Sequence, residues 1–219
     1  EEKPYEISCI EDLVVLSNMT NGKGIKLENG KAVTITSKNV FTNKYIILTK
    51  NLNFKSKYSY NDSTRTDFGN LNNDDTDGNS LITEMTTGTG FIPIADYAGN
   101  FDGREHTIAN IYINALEGDK TSKALIKNAT KNASIMNLCV TGTVKSEWQA
   151  AGIVAYGVNN GEIKIINCIN KANITGKNMV GGIAASYMKI IENCTNYGNV
   201  EITGSEYRIC WYWGNNRSR

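Results

Sequence analysis

The chain has 219 residues, enough for one elongated domain or two small ones, and 23 basic against 22 acidic side chains give a net charge of +1. This balance gives no field that would attract nucleic acid, and no apolar run approaches the ~18 residues of a membrane span. The 29 asparagines, with 20 glycines and only two prolines, favour repetitive β-structure, because asparagine tolerates left-handed turns and stacks in ladders. The start at Glu1, without a basic-then-apolar signal segment, fits a mature or excised fragment and does not argue against secretion.

Residues 1–54 are predicted to hold a capping helix and the first strands. Apolar residues recur at helical spacing from Ile10 to Leu16, with Ser8 as the candidate N-cap. The β-branched and apolar runs at 33–36 and 45–48 are typical of strands. We expect the helix to cover the first coil of the structure that follows.

Residues 55–90 change character and are predicted to form a long surface insertion loop, because they are rich in Ser, Thr, Asn, Asp and Gly. Within them, one segment has the spacing of a calcium-binding loop, with oxygen-bearing side chains at positions 1, 3, 5 and 12: Asn73, Asp75, Asp77 and Glu84. Gly78 occupies position 6, where such loops turn sharply. An acidic solvated loop is the alternative, since Ser80 takes the usually apolar position 8 and no helix is expected to flank the segment.

Residues 91–219 are predicted to form β-helix repeats, continuous with the preceding segments as one domain. Three similar segments begin with asparagine at Asn137, Asn167 and Asn193, which are 30 and 26 residues apart. Two glycine-containing segments, AAGIVAY at 150–156 and VGGIAAS at 180–186, lie between them. A unit of this length cannot close its own core, so copies must stack. The pattern predicts a right-handed parallel β-helix; an antiparallel β-sandwich, which needs no fixed period, is the alternative.

The asparagine positions are expected to stack in neighbouring coils, and the aliphatic residues before them are expected to point inward. These aliphatic residues are Ile135, Ile165, Ile166, Ile190 and Ile191. Cys168 and Cys194 share one repeat position and are expected to stack as free thiols, because parallel side-chain vectors disfavour the dihedral angle of a disulfide. The five cysteines lack CxxC spacing, which argues against a zinc site or a disulfide framework.

These repeats resemble those of bacterial surface proteins that bear GLUG motifs. The segment FDGREHTIANIYI at 101–113 is similar to the entry segment of such domains, and VGGIAAS with NC-N-G-V is similar to their repeating units. The segment IEDLVVLSNMTNG is more weakly similar to the one that precedes them. The chain departs from the motif at Ala185, where a second glycine is usual, and at Glu105, where glycine precedes the histidine. The resemblance implies a parallel β-helix in an adhesin-like protein, or an accessory region of an immunoglobulin-A-cleaving metallopeptidase.

No residue pattern predicts a catalytic site or a resident cofactor other than calcium. His106 is the only histidine, HExxH is absent, and the acidic residues of the repeats occur singly. We therefore expect a non-catalytic extracellular module, at the bacterial cell surface or secreted, that acts as an adhesin or a spacer. Its partner would be a host glycan or a host or bacterial surface protein, without nucleic acid and without membrane insertion. A β-helix polysaccharide lyase or hydrolase and an accessory domain of a secreted metallopeptidase are the alternatives, and the oligomeric state stays open.

The tail at 207–219 breaks the repeat. A 26-residue step from Ile183 places Ile209 at the start of a further segment, but Trp211, Tyr212 and Trp213 then stand where earlier coils have small residues. Two interpretations remain: an altered or frameshifted end, or an aromatic cap over the last coil.

Overall fold

The chain winds repeatedly through parallel sheets, which confirms the β-helix predicted from the repeat. The computed structural model describes residues 3–28, 31–60, 79–158 and 161–204. Each pass through the sheets makes one coil, and equivalent strands of successive coils pair in parallel register. The first sheet contains, in stacking order, Tyr5–Ile7, Tyr45–Leu48, Asn100–Asp102, Ser134–Met136, Lys164–Ile166 and Ile190–Glu192.

The other two sides of the coil are also parallel. The second sheet contains Leu52–Asn53, Thr107–Asn114, Cys139–Lys145, Ile169–Asn170 with Asn173–Gly176, and Thr195–Asn196 with Val200–Ile202. The third side contains Ile126–Ala129, Val154–Gly157 and Ala184–Ser186, and beside them the pair Ala150–Ala151 and Val180–Gly181. An antiparallel hairpin, Ile25–Glu28 with Lys31–Thr34, lies outside these sheets.

The core is a set of columns that run through successive coils. In the first sheet, the strand register aligns Ile46, Phe101, Ile135 and Ile165, and each is at most 1% exposed. Burying a side chain of this size contributes about 1.5–3 kcal/mol.

The inward positions differ in part from those expected. Ile135 and Ile165 are fully buried and Ile191 continues their column, but Ile166 is half-buried and Ile190 is 36% exposed. The prediction that Ile166 and Ile190 point inward is therefore wrong. Successive side chains of a strand face opposite sides, so two adjacent isoleucines cannot both enter the core.

The repeated asparagines form a ladder at the corner between the first and second sheets. Asn137, Asn167 and Asn193 all have φ between 51° and 53°, in the left-handed region. The amide of Asn167 donates to Asn137 Oδ1 at 3.0 Å, and the amide of Asn137 donates to Asp102 Oδ1 at 3.0 Å. Asparagine therefore supplies both the turn conformation and the stacking hydrogen bond that the sequence led us to expect.

A second asparagine ladder lies inside the stack. Asn170 and Asn196 are both buried, and the Asn170 amide donates to Asn196 Oδ1 at 2.7 Å. Each side chain lies against a glycine: a Cβ added to Gly152 would lie 2.2 Å from Asn170 Oδ1, and one added to Gly182 would lie 2.2 Å from Asn196 Cγ. The repeated glycines have no side chain, and this leaves the space that the side chains of the repeated asparagines fill.

The helix Ile10–Asn21 joins the N-terminal end of this core, as predicted. Leu13 is fully buried, the Ser17 hydroxyl donates to the carbonyl of Ile92 at 2.6 Å, and Thr20 Oγ1 accepts from the amide of Ala95 at 3.0 Å. The N-cap is Cys9 rather than Ser8. The Asp12 carboxylate accepts from the backbone amides of both residues, so it supplies the cap instead of a serine hydroxyl.

The segment 55–90 is not a loop throughout its described parts. A short 3-10 helix forms at Lys57–Ser59 and an α-helix at Asn79–Thr86, and the side chains of Tyr60 and Met85 are buried in the main core. The prediction of a surface insertion loop is wrong for these residues, because a few apolar side chains among many polar ones anchor the segment.

Coils differ in length mainly at one corner. Partners in the first sheet are 55 residues apart at Tyr45 and Asn100, but only 26 apart at Lys164 and Ile190. Most of the difference lies between the second sheet and the third side. There the connection is residues 54–93 in the longest coil and 177–179 in the shortest.

Candidate functional site

The predicted calcium ligands fall mostly outside the described residues. Asn73, Asp75 and Asp77 are not described, and Glu84 is exposed on the helix Asn79–Thr86. That helix covers positions 7–12 of the predicted loop and ends two residues beyond it, so it overlaps the loop and does not flank it.

Calcium binding therefore remains a prediction. Titration calorimetry of the protein with calcium should give a saturable heat in the millimolar range or below, and Asp75→Ala should remove it, because Asp75 would supply a charged ligand. No heat at millimolar calcium would end the prediction.

The described acidic residues and His106 do not converge on a catalytic centre. Asp119 pairs with Lys123 at 2.7 Å, Glu147 pairs with Lys177, and Glu162 pairs with Lys189 at 3.5 Å. The part of the chain that the structure describes contains no group of three or more His, Cys, Asp or Glu residues placed to hold a metal ion.

Asp96 and Asp102, six residues apart in sequence, serve different hydrogen bonds. Asp102 accepts from the amide of Arg104 at 2.8 Å and from the side chain of Asn137 at 3.0 Å. Asp96 pairs with Lys38 at 2.6 Å on the third side.

Two cysteines stack as predicted. Cys168 is fully buried, Cys194 is partly buried, and the backbone amide of Cys168 donates to Cys194 Sγ at 3.4 Å. The hydrogen bond between the two thiols raises the pKa of Cys168, which burial raises further, and lowers the pKa of Cys194. Burial also raises the pKa of Cys9. All four described cysteines, these three and Cys139, are free thiols.

These differences predict an order of reactivity, because the thiolate is the reacting form. In the folded protein at mildly alkaline pH, Cys194 should be alkylated before Cys168 and Cys9, as peptide mass spectrometry would show. After unfolding without reductant, all five thiols should titrate, Cys210 included, although it lies outside the described residues. A count of three would contradict the prediction.

The tyrosines do not share one face. Tyr60 and Tyr97 are buried in the core, and Tyr112 and Tyr156 are half-buried. The exposed ones are Tyr5, Tyr45, Tyr58, Tyr187 and Tyr197.

One column on the third side joins two tyrosines to an amide and a carboxylate. The strand register places Tyr156 beside Asn128, and the rings of Tyr156 and Tyr187 meet edge to face with centroids 5.5 Å apart. The amide of Asp96 donates to Asn128 Oδ1 at 3.0 Å, and the Asn128 side chain donates back to the Asp96 carboxylate. These four residues, one from each of four successive coils, are called the Asp96–Tyr187 column.

The charges at one end of the column are unequal. Burial raises the pKa of Asp96, but hydrogen bonds from Lys38 and Asn128 outweigh it and hold the pKa below its ordinary value, so the carboxylate is ionised. The pKa of Lys127 is lowered, and burial is the main cause. Asp96 opposes this shift, whereas the charges of Lys123, Lys38 and Lys23 add to it. Lys127 therefore lies among three lysines and one carboxylate.

Sequence reasoning missed this column. Tyr156 and Tyr187 are 31 residues apart, close to the glycine period, and this spacing was the available signal. Asp96 and Asn128 belong to coils that lack the recognisable motifs.

Comparisons with known proteins identify no relative: no protein-family model, no curated protein and no solved structure matches this chain significantly. In the described ranges, no helix has the length and apolar character to cross a membrane.

Proposed function

We propose that this chain is a non-catalytic extracellular module of a bacterial surface protein, adhesin-like or a spacer. One observation supports the proposal: the repeated residues serve the stack itself. Asn137 and Asn167 form the corner ladder, and Asn170 and Asn196 form the interior ladder against the repeated glycines. The outward residues, by contrast, vary from coil to coil. This division is typical of a scaffold that displays a surface.

The resemblance to GLUG-bearing surface proteins supports the same proposal and implies a host glycan or a surface protein as the partner. A polysaccharide lyase or hydrolase is the competing function. It would need carboxylates, or carboxylates with lysine, clustered in one groove, whereas Asp119 and Glu147 each pair with a separate lysine. An accessory role in a secreted metallopeptidase is compatible with a binding module, and a downstream HExxH in the full-length gene would reveal it.

The test is a binding screen with an activity arm. The purified protein, immobilised on beads, should adhere to host cells or mucin-coated surfaces, and denatured protein on beads should not. The same preparation should release no reducing ends from a polysaccharide panel. Cleavage of any polysaccharide would contradict the proposal and support the enzyme.

A further inference from the structure

We infer that the Asp96–Tyr187 column, with the lysines at its polar end, binds an acidic oligosaccharide that carries uronic acid groups. This inference rests on the proposed function of the chain as a binding module.

The aromatic end of the column suits sugar rings. Tyr187 is 52% exposed, and its ring meets the half-buried ring of Tyr156 edge to face, so two aromatic rings lie together on this face. Tyrosine offers an apolar face for the C–H side of a pyranose and a hydroxyl for hydrogen bonding. Four residues on successive coils span about 14 Å, since neighbouring strands are about 4.8 Å apart. An extended chain of several sugar rings fits this length.

The backbone at Tyr187 favours a role in binding over a role in folding. Tyr187 has φ +56°, and Lys131, three residues before the equivalent first-sheet strand of an earlier coil, has φ +51°. Gly161, at the same position of the coil between them, does not adopt this conformation, so the corner allows the left-handed conformation without imposing it. Glycine or asparagine adopts that conformation at less cost than a bulky aromatic residue. A tyrosine in this conformation carries backbone strain. Its ring also stays largely in solvent, so burial returns little of that energy.

The polar end explains the preference for an acid. Lys38 is engaged by Asp96 and Lys123 by Asp119. Within the described residues, no carboxylate lies within ion-pair distance of Lys127 or Lys23. Lys127 is half-buried, and the charges of Asp96 and of three other lysines act on it, so it lies near the Asp96 end of the column. A sugar carboxylate would neutralise this excess charge, and the Asn128 and Asp96 side chains would meet the neighbouring hydroxyls.

The test compares oligogalacturonate with its methyl ester, which has the same rings and linkages without the charge. Calorimetry with the intact protein should show binding of the acid that is about tenfold or more tighter than that of the ester and weakens with added salt. Tyr187→Ala should weaken binding of the acid about tenfold, and Lys127→Gln or Lys23→Gln should remove most of the preference for acid over ester. Hyaluronan oligosaccharides, tested in parallel, supply a second uronic acid chain.

Matched controls lie on the second sheet. Tyr197→Ala and Lys171→Gln remove an exposed tyrosine and an exposed lysine from that other face, and both should leave binding unchanged. Circular dichroism checks that each variant is folded. Equal binding of acid and ester overturns the inference, as does failure of both uronic acid chains to bind, or loss of binding in the second-sheet variants alone. Each of these results leaves the cell-adherence test of the proposed function to stand separately.

Discussion

Leu13→Asp should leave the protein largely unfolded or aggregated. Leu13 is fully buried where the N-terminal helix meets the core, and a carboxylate there would have no partner. An unpaired buried charge costs several kcal/mol, a large part of the 5–15 kcal/mol that typically stabilises a domain. Loss of the helix would also uncover the first strands, whose free edges promote association.

Soluble yield and the thermal melting temperature measure this effect. Val15→Asp is the matched control, since Val15 lies on the same helix but is partly exposed, and it should lower the melting temperature only modestly. A soluble Leu13→Asp protein with an unchanged melting temperature would show that the helix does not cap the stack.

Gly182→Ala should destabilise the protein by about 2–3 kcal/mol, because overpacking a filled core forces side chains or backbone to move. The new Cβ would lie 2.2–2.6 Å from three atoms of Asn196, and the displaced amide would lose its bond with Asn170. The loss of that buried hydrogen bond adds to the cost. Chemical denaturation measures the change in the free energy of unfolding.

A double-mutant cycle tests the cause. In an Asn196→Gly background, the atoms that the new Cβ would meet are gone, so Gly182→Ala should cost less than half as much as in the wild-type protein. Additive effects of the two substitutions would show that the glycine and the asparagine are not coupled through contact.

The repeat was predictable because parallel stacking copies a local sequence pattern at a fixed step. The asparagine corner ladder followed from residue type alone, since asparagine both tolerates a left-handed φ and donates from its side chain. The pairing of Asn170 with Gly152, and of Asn196 with Gly182, was hidden, because it joins the beginning of one coil to the end of the preceding one. An earlier position is consistent with this coupling: the register aligns Val140 with Asn170, so the earlier coil has no asparagine at that position.

The helix at 79–86 and the Asp96–Tyr187 column could not be predicted, because they depend on tertiary contacts that no local sequence pattern indicates. The helix Asn79–Thr86 lies in a polar stretch, and tertiary packing of Met85 anchors it. The first coils lack the repeat motif, so Asp96 and Asn128 could not be aligned with Tyr156 from sequence. The column is therefore a product of stacking, which brings unlike sequences to one face.

The unequal length of the coils gives this scaffold a natural grafting point. The corner between the second sheet and the third side accepts segments of very different length while the strand register on either side is kept. At Gly118, on this corner, a side chain would meet no atom within 4 Å. A peptide epitope inserted after Gly118 would stand clear of the stack, and epitopes placed at the same corner of successive coils would form a row with a spacing of about 4.8 Å per coil. Such a protein would present antigens along one line, at intervals set by its backbone.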